Sequence, residues 1–326
     1  MLYRDFGNTG FKVSAIGMGT WNIGNQWGNI DDGTALATIR SAFDNGVNLF
    51  DTAEAYGIPP GLSEIRLGQA LTGIRQQVYI VSKIGSWGRR EGHPIPKDSP
   101  ENIRLCAHAC LYRLRTDWID VMLCHEGSIE DPSIYLEGFE MLKQQGHIRA
   151  YGISTNDLEV LKKFNVNNTC QVLEIDYSLL NRKPDSDILP YCQEHGIAVM
   201  IRGPLAKGLL SGKYSADTVF TDTIRSKWHK KEKAQQKLEK NIAKVDKLKT
   251  VFPSQQEMVT GALRYVISHP AQPVAIPGAK SPEQAAINAI AGEKLLSTEE
   301  RENLHKCMEN TSSASSDSVP VTAAAG

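Results

Sequence analysis

The chain has 326 residues, 41% apolar and 22% charged, the balance of a globular protein with a large core. Lysine and arginine total 36 against 37 aspartate and glutamate, a formal charge of −1, so no global field attracts nucleic acid or an anionic membrane. Six cysteines (106, 110, 124, 170, 192 and 307) form no C-x-x-C pair and no zinc spacing, and MLYRDFGNTG carries no basic-then-apolar leader. The expectation is a cytoplasmic protein with free thiols, no metal and no membrane span.

In chain order, Tyr3–Phe6 and Phe11–Val13 flank the turn Asn8-Thr9-Gly10, the pattern of a β-hairpin. Short apolar, β-branched runs follow at Ile16–Gly19, Val47–Phe50, Val78–Ser82, Ile119–Cys124, Ile148–Ile153, Cys170–Ile175, Ile197–Ile201 and Val274–Ile276, eight strands in all. Between them lie amphipathic stretches such as Gly33–Asn45, Pro100–Leu114, Pro132–Gln145 and Ile188–His195. Gly46, Gly146 and Gly196 stand where three of these must stop. Buried strands alternating with helices require parallel pairing and right-handed crossovers. No G-x-G-x-x-G follows the first strand, because Asn22 stands where a third glycine would follow Gly17 and Gly19. The expected fold is one (β/α)₈ TIM barrel over 1–310 with the hairpin, extra helices and no Rossmann domain.

A Lys-rich helix, roughly Ser226–Thr250, is inserted before the eighth strand. Leu238, Ile242, Val245 and Leu248 share one face, so the lysines read as its solvated side. The Ser/Ala-rich tail, 311–326, reads as disordered.

Barrel enzymes carry their catalytic groups at the C-terminal ends of the strands. Those ends here hold Asp51 after Val-Asn-Leu-Phe, Lys83 after Tyr-Ile-Val-Ser, and His125 after Val-Met-Leu-Cys, with Tyr56 in the loop behind Asp51. Four ionisable groups converging on one mouth suit proton-coupled chemistry. An ammonium beside a tyrosine stabilises the phenolate and is expected to lower its pKa from about 10. A carboxylate keeps the lysine charged, and a histidine orients a substrate oxygen. No G-x-S-x-G or H-E-x-x-H occurs.

These segments resemble the aldo-keto reductase family. NLFDTAEAYG at 48–57, IVSKIG at 80–85, VMLCHEG at 121–127, GHIRAYGIST at 146–155, GPLAKGLLSGKY at 203–214 and AIPGAKSPEQ at 275–284 match its signatures in order. The resemblance implies a tetrad of Asp51, Tyr56, Lys83 and His125, with Tyr56 the general acid, and NADPH extended across the barrel mouth. It implies cofactor contacts from Gly19, Thr20, Trp21 and Asp51, and from Ser154 and Asn156 at the carboxamide. Gly203, Pro204, Leu205, Ala206 and Gly208 would wrap the pyrophosphate, with Lys213 nearby. Gly278, Lys280, Ser281, Gln284 and Asn288 would hold the adenosine end, Lys280 and Ser281 facing the 2′-phosphate.

Two positions depart from the family pattern. Glu174 stands where a glutamine usually contacts the carboxamide, and is expected either at that contact or paired with Arg202. Arg202 itself replaces an aromatic residue that many members stack on the nicotinamide. The implied activity is NADPH-dependent reduction of an aldehyde or ketone, with a small-molecule carbonyl as partner. The alternatives are a non-catalytic, cofactor-binding redox-sensing subunit and a Schiff-base aldolase using Lys83. A charged, paired lysine is a poor amine nucleophile, which favours the reductase. Substrate selection is expected from the loops Trp21–Ile30 and Ser86–Lys97 and from the insert after Lys213. Trp21, Trp27 and Trp87 either line a pocket or pack beneath those loops.

Overall fold

A hairpin opens the chain: β1 (Tyr3–Asp5) pairs antiparallel with β2 (Lys12–Ser14). The structure, a computed structural model, describes residues 1–89 and 91–309; the tail 311–326 lies outside the described residues. Eight parallel strands follow: β3 (Met18–Gly19), β4 (Leu49–Asp51), β5 (Tyr79–Ile84), β6 (Ile119–Cys124), β7 (Ile148–Ser154), β8 (Val172–Asp176), β9 (Ala198–Arg202) and β10 (Val274–Ala275). Each pairs with the next in sequence. Parallel bridges from Ile16 to Ala275 and from Gly19 to Gly278 join the first strand to the last and close the barrel. All eight predicted strands are present, with ends shifted by at most two residues.

Outside the sheet lie α1 (Asp32–Asp44), α2 (Leu62–Ala70), α3 (Pro100–Leu114), α4 (Ser133–Gln144), α5 (Leu158–Phe164), α6 (Ile188–His195), α7 (Glu232–Leu248), α8 (Gln255–Ile267), α9 (Pro282–Ile290) and α10 (Thr298–Glu309). Local chemistry sets their ends. Asp31 caps α1 by accepting from Thr34 N at 2.8 Å, Ser99 caps α3 ahead of Pro100, and Ser254 and Glu257 form a capping box on α8. Gly196 ends α6 in the left-handed region at φ +65°. In α7, Leu238, Ile242, Val245 and Leu248 are buried as their spacing requires.

Alternation along the strands makes two cores. Leu49, Val81, Val121, Ala150, Val172, Ala198 and Val274 point into the barrel, packed with Phe6 and Val13 of the hairpin. Ile80, Met122, Tyr151, Leu173 and Val199 belong to the outer core with the helices. Gly152 is required by close approach: a Cβ there would lie 1.7 Å from the Val172 carbonyl oxygen across the sheet. No helix among the described residues is long and apolar enough to cross a membrane.

Candidate active site

The inward phase of each strand continues past its apolar layers into a polar one. Asp51 follows Leu49 by two residues, Lys83 follows Val81, His125 follows Leu123, Ser154 follows Gly152, Glu174 follows Val172 and Arg202 follows Met200. Six inward-facing side chains at the ends of six strands therefore gather at the C-terminal mouth.

Lys83 is the centre of this layer and is fully buried. Its ammonium pairs with Asp51 Oδ1 and donates to the Thr52 carbonyl at 2.8 Å and to the Tyr56 hydroxyl at 3.3 Å. It also lies 4.8 Å from the centre of the Tyr56 ring. Trp21 stacks on that ring at 5.6 Å, and the His125 ring stands edge-on at 6.0 Å. The four expected catalytic residues are thus one cluster. The loop that carries Tyr56 is fastened by Glu54, whose buried Oε1 accepts from the backbone N–H groups of Gly85 (2.7 Å), Ser86 (3.1 Å) and Trp87 (3.1 Å).

Glu174 meets Lys83 as well as the expected Arg202. Its side chain is buried, with Oε2 3.1 Å from Lys83 Nζ and Oε1 accepting from Ser154 Oγ at 3.4 Å. Arg202 Nε is only a distant partner at 3.9 Å; this guanidinium donates instead to Asn156 Oδ1 at 3.0 Å. Two carboxylates consequently share one ammonium. Burial and the Glu174 carboxylate push Asp51 well above the usual carboxylate range, against the pull of Lys83. Burial alone would lower Lys83, but Asp51 and Glu174 hold it above the usual lysine range. Burial also raises Tyr56, and the Lys83 ammonium does not offset burial and the two carboxylates. The expected lowering of the Tyr56 pKa is therefore reversed in the free protein.

A cleft of about 1050 Å³ runs from this layer along the mouth. Of the expected cofactor residues, Gly19, Trp21, Asp51, Ser154, Arg202, Gly203, Pro204, Leu205, Ala206, Gly208, Lys213, Gly278, Lys280, Gln284 and Asn288 line it. Thr20, Asn156, Glu174 and Ser281 do not. Thr20 is buried, and Ser281 caps α9 by accepting from Gln284 N at 3.3 Å. Lys280 Nζ donates across the cleft to the Trp27 carbonyl at 2.9 Å. Trp21 and Trp27 line the cleft, but Trp87 packs under Arg113 at 4.7 Å and does not line it.

Several lining residues carry no local sequence signal. Lys207 lines the cleft, as does Lys237 on α7, which is exposed as the solvated face of this helix requires. Arg225 binds Asp222 at 2.7 Å and the Tyr214 hydroxyl at 2.6 Å, and lies 5.6 Å from the Trp27 ring. Thr223 donates to the Gln26 carbonyl at 2.7 Å, so the segment after β9 reaches across to the loop after β3. The donors fit a dinucleotide: Arg202, Lys207, Lys213, Lys237 and Lys280 put positive charge along a long cleft next to a buried acid–base cluster. Among the described residues, no group of three or more His, Cys, Asp or Glu side chains is arranged for a metal ion.

The family model described as "Aldo/keto reductase family" matches residues 15–309. The chain is 32% identical over 310 residues to the NADH-specific methylglyoxal reductase of Escherichia coli, covering 87% of this chain and 91% of that one. Its fold matches the glycerol dehydrogenase AKR11B4 of Gluconobacter oxydans with a TM-score of 0.79 and 28% identity, covering 97% and 96% of the two chains. It also matches an aldo/keto reductase of Klebsiella pneumoniae in complex with NADP and acetate, with a TM-score of 0.69 and 29% identity over 92% and 93%. With the barrel, the buried Asp51–Lys83–Tyr56 cluster and a family match over nearly the whole described chain, this protein belongs to the aldo/keto reductase family.

Proposed function

We propose that the protein reduces an aldehyde or ketone to its alcohol with NADPH as hydride donor, Tyr56 delivering the proton. The observation that carries this reading is the Tyr56 hydroxyl 3.3 Å from a buried, ion-paired Lys83 at the floor of the cleft. When bound, the cofactor supplies a hydride to the carbonyl carbon. Tyr56 loses its O–H proton to the carbonyl oxygen, and Lys83, kept charged by Asp51, stabilises the phenolate left behind. His125 lines the cleft edge-on to Tyr56 and orients the carbonyl oxygen. Ser154 and Arg202 would hold the nicotinamide end, the Gly203–Gly208 turn with Lys207 and Lys213 the pyrophosphate, and Gly278, Lys280, Gln284 and Asn288 the adenosine end.

The preference for NADPH is assigned to Lys280, which offers a point charge at the start of α9. The names of two relatives, a methylglyoxal reductase and a glycerol dehydrogenase, support a small carbonyl compound or its alcohol, and Trp21 and Trp27, 5.0 Å apart, form the apolar wall against it. The free cysteines, five of the six buried, suit a reducing compartment. Purified protein should consume NADPH in the presence of methylglyoxal or para-nitrobenzaldehyde. Absence of turnover with both, in protein shown to bind NADPH by tryptophan quenching, would overturn the reading.

A further inference from the structure

An ammonium has three N–H donors. Around Lys83 Nζ stand four oxygens: Asp51 Oδ1, the Thr52 carbonyl at 2.8 Å, Glu174 Oε2 at 3.1 Å and the Tyr56 hydroxyl at 3.3 Å. Tyr56 is the most distant of them. Glu174 Oε2 is buried and, among the described residues, accepts no well-aligned hydrogen bond, so its hold on Lys83 is an ion pair without a committed donor. Both carboxylates and the ammonium are buried, leaving a net negative charge that Arg202, 3.9 Å away and 40% exposed, only partly offsets.

We propose that Glu174 is a positioning residue that competes with Tyr56 for the Lys83 ammonium and so holds Tyr56 in its proton-donating form. The proposal rests on the reductase reading above and adds a direction to it. In carbonyl reduction the Tyr56 O–H bond breaks, the proton goes to the substrate oxygen, and the Lys83 N–H already directed at the Tyr56 oxygen holds the phenolate against the pull of Glu174. Water then returns the proton to Tyr56. Alcohol oxidation needs the phenolate first, to accept the substrate proton. A second carboxylate beside Lys83 makes that starting state costly. The raised Tyr56, with Asp51 and Glu174 both contributing, accords with this. A neutral glutamine at the same place would leave the ammonium to Asp51 and Tyr56.

The test uses the full-length protein with Glu174→Gln and Glu174→Asp. Phenolate formation is followed by near-ultraviolet absorbance as the difference between each protein and the same protein carrying Tyr56→Phe, with no substrate present. The pH profiles of kcat are measured in both directions. The Tyr56 midpoint should fall in the order Glu, Asp, Gln, with Gln lower than wild type by about one pH unit, a tenfold gain in phenolate at a given pH. The alkaline limb of carbonyl reduction should move down with it, and kcat for alcohol oxidation at neutral pH should rise about tenfold. Should Glu174→Gln not fold, Glu174→Asp alone decides by the sign of its shift. An unmoved midpoint, or one that rises, overturns the proposal. A wild-type protein without NADPH-dependent turnover would end the reductase reading, while the substrate-free titration would still judge Glu174.

Discussion

Two buried ion clusters stand at opposite ends of the barrel, and they are built in opposite ways. At the N-terminal end, Asp120 on β6 receives Arg75 at 2.8 Å, Arg149 at 3.0 Å, the Ile80 N–H at 2.9 Å and the Trp118 indole N–H at 3.3 Å. Four donors saturate two oxygens, and the surplus positive charge spreads to solvent because the Arg149 side chain is 48% exposed. Trp118 packs against both guanidiniums, at 4.4 Å and 5.0 Å. At the mouth, Lys83 serves two carboxylates, a carbonyl and a hydroxyl with three donors, and the surplus negative charge stays inside. A saturated cluster has one arrangement and specifies the fold. An under-supplied cluster can exchange partners, which a group that gives and regains a proton requires.

The sharpest way to break this contrast is at Tyr56. Tyr56→Phe should lower kcat by ~10²–10⁴-fold while leaving cofactor binding nearly unchanged, because it removes the proton and little else. Steady-state turnover with para-nitrobenzaldehyde, alongside quenching of tryptophan fluorescence by NADPH, separates the two effects.

Lys83→Met should cost comparable activity and, in addition, about 3–5 kcal/mol of stability at neutral pH, since it leaves two buried carboxylates without their cation. The pH dependence has a definite sign. Asp51 already sits above its unfolded value, so it favours the folded state when protonated, and that contribution is lost as pH rises through the folded value. Without Lys83 the loss is larger, and urea denaturation should find the variant more stable in mildly acidic than in mildly alkaline buffer.

Asp120→Asn should do the reverse at the other end of the barrel. Its expected cost is about 3 kcal/mol of unfolding free energy, with kcat and cofactor affinity unchanged. A large fall in kcat for the folded protein would mean that the two ends are coupled.

The smallest expected effect belongs to Lys280. Lys280→Ala should weaken NADPH relative to NADH by ~10–100-fold, the range for one charged hydrogen bond. Kd values for both cofactors at fixed ionic strength check it. Equal weakening of both would mean that the bond from Lys280 to the Trp27 carbonyl holds the cleft and does not discriminate between the cofactors.

What the sequence by itself determined was everything governed by neighbours along the chain. Strand and helix alternation follows from periods of two and 3.6 residues, and helix ends from caps such as Asp31, Ser99 and Ser254. The places of Asp51, Lys83 and His125 at strand ends follow from the same alternation, and so does the inward phase of Glu174, two residues beyond Val172. The partner Glu174 meets is another matter. Lys83, Arg202 and Ser154 come from three other strands, and only the curvature of the closed barrel decides that its carboxylate reaches Lys83 across the interior while Arg202, 3.9 Å away, donates to Asn156. Lys280 at Trp27, Thr223 at Gln26 and Lys237 on the cleft wall are likewise products of tertiary structure. Each joins elements with no local relation, and a long, flexible side chain takes whichever buried oxygen or open cleft the packed backbone brings within its reach.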